Sequence, residues 1–530
     1  MASSTSKKNP SIEPVATLNH VHIQRPSLND NRSPEARLRE ALRLSLGLGE
    51  RGAIHIPLGL LRRLAQQAFA GAEELACVTV FNGNAHRVAA IEAPGSLQSP
   101  LGVAVDLGST TIVLYLVDLA RGEELQSRSY ENPQREQGED ILARILYAST
   151  PHGLEDLRNK ALTTINRGIK ALVAEMGRKV EDVYFVSIAG NTTMVHFLLG
   201  LDPANICKEP YIPVANHFDL LEPGEVGLEI NPRGYCYVFP NVGSYFGGDL
   251  LAGILASGMH RREEISMLID VGTNAEVVLG NSMWMVACAG AAGPALEGGI
   301  LKCGMRATTG AIERVRIDPK DRRVEYKTIG NTRPKGLCGS GIIDLLAEMF
   351  VAGIVDPTGK LVQGRFPDRM RPIDGEPCFI VASETETETG RPIYISQSDI
   401  KNLIRSKGAM YTILNVVIES VGIGFDDIEH FYVAGAFGNY IDPEKAVTIG
   451  MLPDVPLKKF VGLGNAAGMG AKVVLLHKGA IAEVDEVVRK ITYLEMNVRG
   501  DFMNKLTGAL FLPHTDKWRF PSVMARLGEQ

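Results

Sequence analysis

No CxxC or CxH pair, no long unbroken apolar run and no surplus of positive charge occur in this sequence, and each shortage removes a class of protein. The seven cysteines, at 77, 207, 236, 288, 303, 338 and 378, are odd in number and scattered, so no zinc site, iron–sulfur cluster or disulfide framework is legible in their spacing. They read as reduced thiols used as small hydrophobes in a reducing cytosol, with Cys338, in a Gly-rich turn, placed to face a cleft. The most apolar stretch, 277–296, is interrupted by Asn281, Ser282, glycines and Pro294 and makes a poor membrane span. Residues Met1–Pro10 lack the apolar core of a secretory signal, so a cytoplasmic location is expected. Lys+Arg number 55 against 61 Asp+Glu, a net charge of −6. That sign argues against a nucleic-acid partner.

What is present fits a large globular chain. At 530 residues it exceeds the length one core usually serves, and its 45% hydrophobic and 22% charged residues are ordinary. Residues 1–32, rich in Ser, Asn, Pro and Lys, read as a flexible tail and strap. Ser33-Pro34-Glu35 then opens a helix carrying Leu38, Leu42 and Leu46. A second helix is expected over Leu58–Phe69 and a hairpin over Cys77–Val80 and Val88–Ile91, so 33–98 reads as a small α+β domain. After turn signals at Pro94-Gly95 and Pro100-Leu101-Gly102, strands, Gly-rich turns and amphipathic helices alternate through 99–530, the pattern of an α/β architecture.

That long region contains a weak internal repeat. Val103-Ala104-Val105-Asp106-Leu107-Gly108-Ser109-Thr110-Thr111 leads into a strand over Ile112–Val117, and Leu268-Ile269-Asp270-Val271-Gly272-Thr273-Asn274-Ala275-Glu276 into one over Val277–Leu279. Strand, Asp-x-Gly-Ser/Thr turn, strand thus occurs twice, and a duplicated two-lobe fold follows. Gly108 and Gly272 allow backbone N–H groups to approach phosphate oxygens, and Ser109, Thr110, Thr111 and Thr273 add hydroxyl donors. Asp106 and Asp270, ending their strands, suit Mg²⁺, usually through its waters. Phe431–Asn439, with Gly435, Ala436, Phe437 and Gly438, is a strand entering a turn that would line a nucleoside or merely form a strand-to-helix corner. Ser187–Met194 and Gly336–Asp344 read as interlobe connectors. His196, among Met194, Val195, Phe197 and Leu198, reads as a packed core residue, Asn191 as a helix cap, and Glu384–Thr389 as a solvated loop.

Phosphate turn, connector, phosphate turn, connector and nucleoside turn resemble in their order the superfamily of acetate and sugar kinases, heat-shock chaperone ATPases and actin, which implies ATP held between two lobes. Within it the chain is most similar to the reductive activators of corrinoid enzymes. The residues carrying this resemblance are Val105–Thr111, Glu131–Gln134 with Gly138–Ile145, Ala189–Met194, Gly247–Asp249, Asp270–Glu276, Gly336–Gly341, Ser398–Ile400, Gly435–Gly438 and Phe511–His514, and it extends from about residue 24 to 521. Arg25-Pro26-Ser27-Leu28 resembles the strap before the family's middle domain. Members usually begin with a ferredoxin-like domain whose four cysteines hold a [2Fe–2S] cluster. Here no cysteine precedes Cys77, so no iron–sulfur cluster is expected.

The resemblance implies an ATP-dependent activator of a corrinoid protein, coupling ATP binding or hydrolysis to reduction of Co(II) to Co(I). Electrons would come from a separate low-potential donor, and a homodimer is implied. Asp106 and Asp270 would organise Mg²⁺, Ser109–Thr111 and Gly272–Asn274 would hold phosphates, Gly435–Gly438 would line the nucleoside, and Asp249 or Glu276 would orient the attacking water. Two other readings stay open: a small-molecule kinase, for which neither connector offers a convincing carboxylate base, and a non-enzymatic binding protein switched by nucleotide.

Overall fold

A computed structural model describes residues 12–25, 27–49, 52–69, 73–272, 274–291, 293, 295, 300–435, 441–494 and 502–528, with backbone only at 67–69 and 291. The chain divides into two compact units, one reaching to Ala256 and including Ala467–Arg489, the other Ser257–Ala466 with the residues from Lys490 onward.

The first unit opens with a small α+β domain. Strands β1 (Ala16–His22), β2 (Ile54–His55), β3 (Glu74–Phe81) and β4 (His86–Glu92) form a sheet in the order β1-β3-β4-β2. Helix α1 (Pro34–Ser45) starts where expected because the Ser33 hydroxyl accepts the Ala36 N–H. Leu38 and Leu42 of α1 and Leu60 and Leu64 of α2 (Leu58–Phe69) are buried against the sheet. The stretch expected to be a flexible strap departs from that expectation: β1 pairs along its length with β3 and buries Val15, Ala16, Val21 and Ile23. Its apolar residues lie among polar ones that mask the alternation until the partner strand is known.

The larger sheet of the first unit is built from β5 (Leu101–Leu107), β6 (Thr111–Asp118), β7 (Glu123–Glu131), β8 (Val183–Gly190) and β9 (Tyr235–Val238), ordered β7-β6-β5-β8-β9. The first three form an antiparallel meander, while β8 runs parallel to β5 and β9 parallel to β8. Central β5 and β8 are almost wholly buried, which is why they read as continuous apolar runs rather than alternating ones. Helices α3 (Ile141–Ala148), α4 (Gly153–Glu175), α5 (Thr192–Leu199), the short α6 (Pro223–Val226) and α7 (Gly248–Ser257) follow in chain order. Leu157, Ala161, Ile165, Ile169 and Leu172 of α4 pack into the sheet's core.

The second unit repeats the plan. Strands β10 (Ser266–Val271), β11 (Asn274–Gly280) and β12 (Met285–Ala291) form the meander, and β19 (His430–Ala434) and β20 (Phe460–Gly464) add in parallel beside β10. One further strand, β21 (Ile491–Leu494), lies parallel to β12. Between the halves of this sheet the chain inserts the small sheets β14-β13-β15 and β16-β17-β18, with β13 at Ala311–Asp318, β14 at Arg323–Thr328, β15 at Gly336–Leu337, β16 at Met370–Ile373, β17 at Glu376–Ala382 and β18 at Ile393–Ser396. Helices α8 (Gly339–Val351) and α9 (Gln397–Ser420) complete its core. The Ser396–Asp399 capping box starts α9. The mixed α/β duplication expected from the two Asp-x-Gly turns is therefore present as two sheets of the same order and sense.

Candidate nucleotide site

In the first unit β5 ends at Leu107 and β6 begins at Thr111, so Gly108-Ser109-Thr110 is a hairpin turn. The Gly108 N–H donates to the Thr111 carbonyl at 3.1 Å, and a Cβ on Gly108 would stand 2.6 Å from that oxygen. A side chain there would force the turn open, so the position requires glycine for close approach. The turn is anchored from behind. Asn132 Nδ2 donates to the Gly108 carbonyl at 2.9 Å, the Asn132 N–H to the Thr110 carbonyl at 2.9 Å, and Arg144 Nη1 to the Ser109 carbonyl at 2.7 Å. In a planar trans peptide the N–H points opposite to the C=O. The Ser109 and Thr110 N–H groups, in peptides whose carbonyls face these buried donors, are therefore aimed the other way, as in a backbone anion nest.

Asp106, half-buried, sits in register with Val113 on β6 and with Ala189 on β8. Just past Ala189, Gly190 and Asn191 border the loop that starts α7. A Cβ on Gly247 would lie 2.5 Å from Asn191 Cα, 2.7 Å from Asp249 Oδ1 and 3.0 Å from the Gly190 carbonyl. One edge of the sheet thus gathers the Asp106 strand end, the Gly190–Asn191 turn and Asp249. Burial raises the Asp249 carboxyl to about 6, partly opposed by the Leu250 N–H, which donates to Oδ1 at 3.0 Å.

The second unit places its counterparts alike. The Gly272 N–H donates to the Asn274 carbonyl at 2.9 Å, and Asp270 is in register with Glu276 on β11 and Ala434 on β19. Gly435 has φ +81°, and a Cβ there would meet Asp270 Oδ1 at 2.7 Å and the Val271 carbonyl at 3.1 Å. Gly435 therefore borders Asp270. Thr273, Ala436, Phe437 and Gly438 lie outside the described residues.

Asp106 faces Ala189 followed by Gly190, and Asp270 faces Ala434 followed by Gly435, so the Ser187–Met194 stretch occupies in the first unit the place that begins at Phe431–Gly435 in the second. It lies within one unit, as does Gly336–Asp344, and the unit boundaries fall at 256/257, 466/467 and 489/490. Neither stretch is the expected interlobe connector, because strand order, invisible in a local motif, fixes where each turn lies. Cys338 is buried with Sγ 3.2 Å from the Ile312 carbonyl, so it does not face a cleft.

His196 is a packed core residue. Its Nδ1 lies 2.7 Å from the Thr192 carbonyl and so carries the proton, while Nε2 accepts the Val214 N–H at 3.2 Å. Burial depresses its pKa. Asn191 caps α5, accepting the Met194 N–H at 2.9 Å. In the Glu384–Thr389 loop the glutamates are exposed, but Thr387 is buried and donates to the Arg391 carbonyl at 2.8 Å.

Asn132, Gln134 and Arg144, to which local sequence pattern assigns no role, are all buried beneath the first turn. The available signal was an arginine at a core position of α3, between the apolar positions Ile141 and Ile145.

Two sheets of one plan, each carrying an aspartate and a glycine turn where its central strand ends, define the class of the actin, heat-shock chaperone and sugar-kinase nucleotide folds. Family models match in series: the RACo linker region at 5–97, the RACo middle region at 101–262 and the C-terminal ASKHA domain of RACo at 264–524. The chain belongs to this family, the reductive activators of corrinoid enzymes. It is similar to the corrinoid activation enzyme RamQ of Eubacterium limosum, 34% identical over 404 residues, 74% of this chain and 67% of that protein. It is also similar to the [Co(II) methylated amine-specific corrinoid protein] reductase of Methanosarcina barkeri, 25% identical over 74% of this chain and 73% of that one. Among solved structures, a reductive activator for corrinoid, iron–sulfur protein superposes with TM-score 0.89 and 38% identity over 97% of this chain and 82% of its own. Among the described residues no helix is long and apolar enough to cross a membrane.

Proposed function

We propose that this protein is an ATP-dependent activator of corrinoid methyltransfer proteins, coupling ATP binding or hydrolysis to the one-electron reduction of Co(II) to Co(I) with electrons from a separate low-potential donor. The observation that carries the proposal is the likeness, over nearly the whole chain, to a reductive activator whose named target is a corrinoid, iron–sulfur protein. The names of the two relatives, a corrinoid activation enzyme and a corrinoid protein reductase, point the same way. The seven cysteines are scattered in the sequence without a metal-site spacing, and the protein is assigned an outside electron donor and a cytoplasmic setting. A homodimer rests on the family resemblance alone.

The residues fit a nucleotide and a divalent cation. The Gly108 cradle admits no side chain, Gly435 lies against Asp270, and Asp270 stands directly across from Glu276 on one face of the sheet. A divalent cation held there would be attracted by both carboxylates. In this assignment Asp106 and Asp270 hold Mg²⁺ through its waters. Gly108–Thr111 and Gly272–Asn274 hold phosphates, Gly435–Gly438 lines the nucleoside, and Asp249 or Glu276 orients the attacking water. Bound ATP supplies phosphate charge and a phosphoanhydride bond whose binding or cleavage biases the protein between conformations of different affinity.

The test is ATP hydrolysis by the purified chain with a candidate corrinoid protein held as Co(II), an external low-potential reductant, and the cobalamin spectrum as readout. Co(I) formation that requires ATP and disappears in Asp270→Ala is the expected result. Tight ATP binding without effect on any corrinoid would sink the proposal and leave the kinase or nucleotide-switch readings.

A further inference from the structure

Arg144 is fully buried on α3, and desolvation of a cation is costly unless something compensates it. Its Nε donates to the Gly138 carbonyl at 2.8 Å, Nη1 to the Ser109 carbonyl at 2.7 Å and Nη2 to the Glu139 carbonyl at 3.4 Å, with Met194 Sδ 3.8 Å from Nη1. Every hydrogen bond to oxygen described for the guanidinium goes to a backbone carbonyl. The two neighbouring carboxylates are engaged elsewhere, Glu139 with Arg135 at 2.5 Å and Asp140 as the cap of α3, accepting the Ala143 N–H at 2.7 Å. A neutral side chain such as Gln134, which donates from the same buried layer to the Leu157 carbonyl at 2.8 Å, supports backbone without the cost of a buried charge. Asn132 already anchors the carbonyls on either side of Ser109.

We propose that Arg144 is a positioning residue for nucleotide phosphate: its buried charge, set behind Gly108–Thr110, holds the Ser109 carbonyl inward and supplies the positive potential that balances an anion on the turn's outer face. This rests on the assignment of Gly108–Thr111 as a phosphate turn. The low-dielectric surroundings that make the charge costly also lengthen its reach, so it acts on phosphate through the turn without touching it. The contact with Met194 ties the same guanidinium to α5, whose N-terminal turn begins at Asn191. Phosphate at the first turn and the Gly190–Asn191 edge therefore share one buried support.

The experiment is titration calorimetry of the full chain with ATP, and with adenosine in competition, for Arg144→Gln, Arg144→Lys and Gly108→Ala, with melting curves for each. Arg144→Gln is expected to weaken ATP about tenfold, or ~1.4 kcal/mol, and to leave adenosine unchanged. Arg144→Lys, which keeps the charge but loses the forked geometry, is expected to stay within about threefold of the parent for ATP. ATP affinity unchanged in Arg144→Gln, or lost equally in Arg144→Lys, would overturn the proposal by making the residue a scaffold only. If Arg144→Gln does not fold, Arg144→Lys decides: retained ATP affinity supports the charge, and a tenfold loss with a parental melting curve refutes it. Gly108→Ala separates the two assignments. Unchanged ATP binding there removes the phosphate turn itself, whereas loss of ATP there with none in Arg144→Gln removes only the role of Arg144.

Discussion

Asp249 and Asp344 share a physical state in different settings. Burial raises both carboxyls to about 6. Asp344 has Arg314 at 3.6 Å and the Val315 N–H at 3.3 Å and serves the packing of α8 on β13, whereas Asp249 stands at the edge where the Asp106 strand ends. With a folded pKa above the unfolded one, each group contributes stability that is present below pH 4 and lost as pH rises through about 6. Replacing Asp249 by Asn is therefore expected to raise the melting midpoint at pH 7.5, by about 2–4 °C, and to raise it less at pH 5, while slowing ATP hydrolysis by about 100-fold. Melting curves at both pH values with a phosphate-release assay check this. A lower midpoint at pH 7.5, or undiminished hydrolysis, removes Asp249 as the water-positioning residue. Gly435→Ala belongs to the same scale. Its positive φ and the 2.7 Å approach to Asp270 Oδ1 leave no space, and nucleotide affinity is expected to fall by at least about tenfold, measurable by titration.

At the scale of elements, the Gly108–Thr110 turn depends on the segment between β7 and α3. Asn132 is buried, donating from Nδ2 to the Gly108 carbonyl and accepting the Gln134 N–H at 3.0 Å on Oδ1. Asn132→Ala strands both partners, and the expected cost is about 2–3 kcal/mol, read as a lower urea midpoint together with weaker ATP binding. Unchanged ATP binding, with or without a lower urea midpoint, would show that the turn is supported otherwise. A similar clamp in the second unit secures the closing Phe511–His514 stretch, where the buried Lys407 donates to the Phe511 carbonyl and, at 2.7 Å, to the Pro513 carbonyl. Its burial holds the amine well below its usual pKa. Both clamps set a buried side-chain nitrogen against backbone carbonyls of an irregular stretch.

At the scale of the whole molecule, a ligand that binds only the folded state adds stability set by its concentration relative to its dissociation constant. With ATP and Mg²⁺ at a hundredfold excess over that constant, about 2.7 kcal/mol is expected, seen as a raised melting midpoint that chelation of Mg²⁺ largely removes. An increment that survives chelation would deny Asp106 and Asp270 their metal role. Light scattering of the purified chain tests the homodimer, for which the expected mass is twice that of one chain and a single-chain mass refutes it.

The two Asp-x-Gly turns, the hairpins around them, α1 with its Ser33 cap, α2 and the family are legible in the sequence alone, because these depend on residues adjacent in the chain: apolar runs for buried strands, glycine where a turn closes, Ser33 and Pro34 where a helix starts. The sequence did not determine that Ala16–His22 joins a sheet, since its partner β3 lies more than fifty residues away, nor that Ser187–Met194 is the first unit's counterpart of the stretch that begins at Phe431–Gly435, which follows from strand order alone. Nor did it reveal Asn132 and Arg144 as supports of a turn some thirty residues before them. Hydrogen bonds to unpaired carbonyls have no sequence period, and only the tertiary structure decides which carbonyl a buried donor meets.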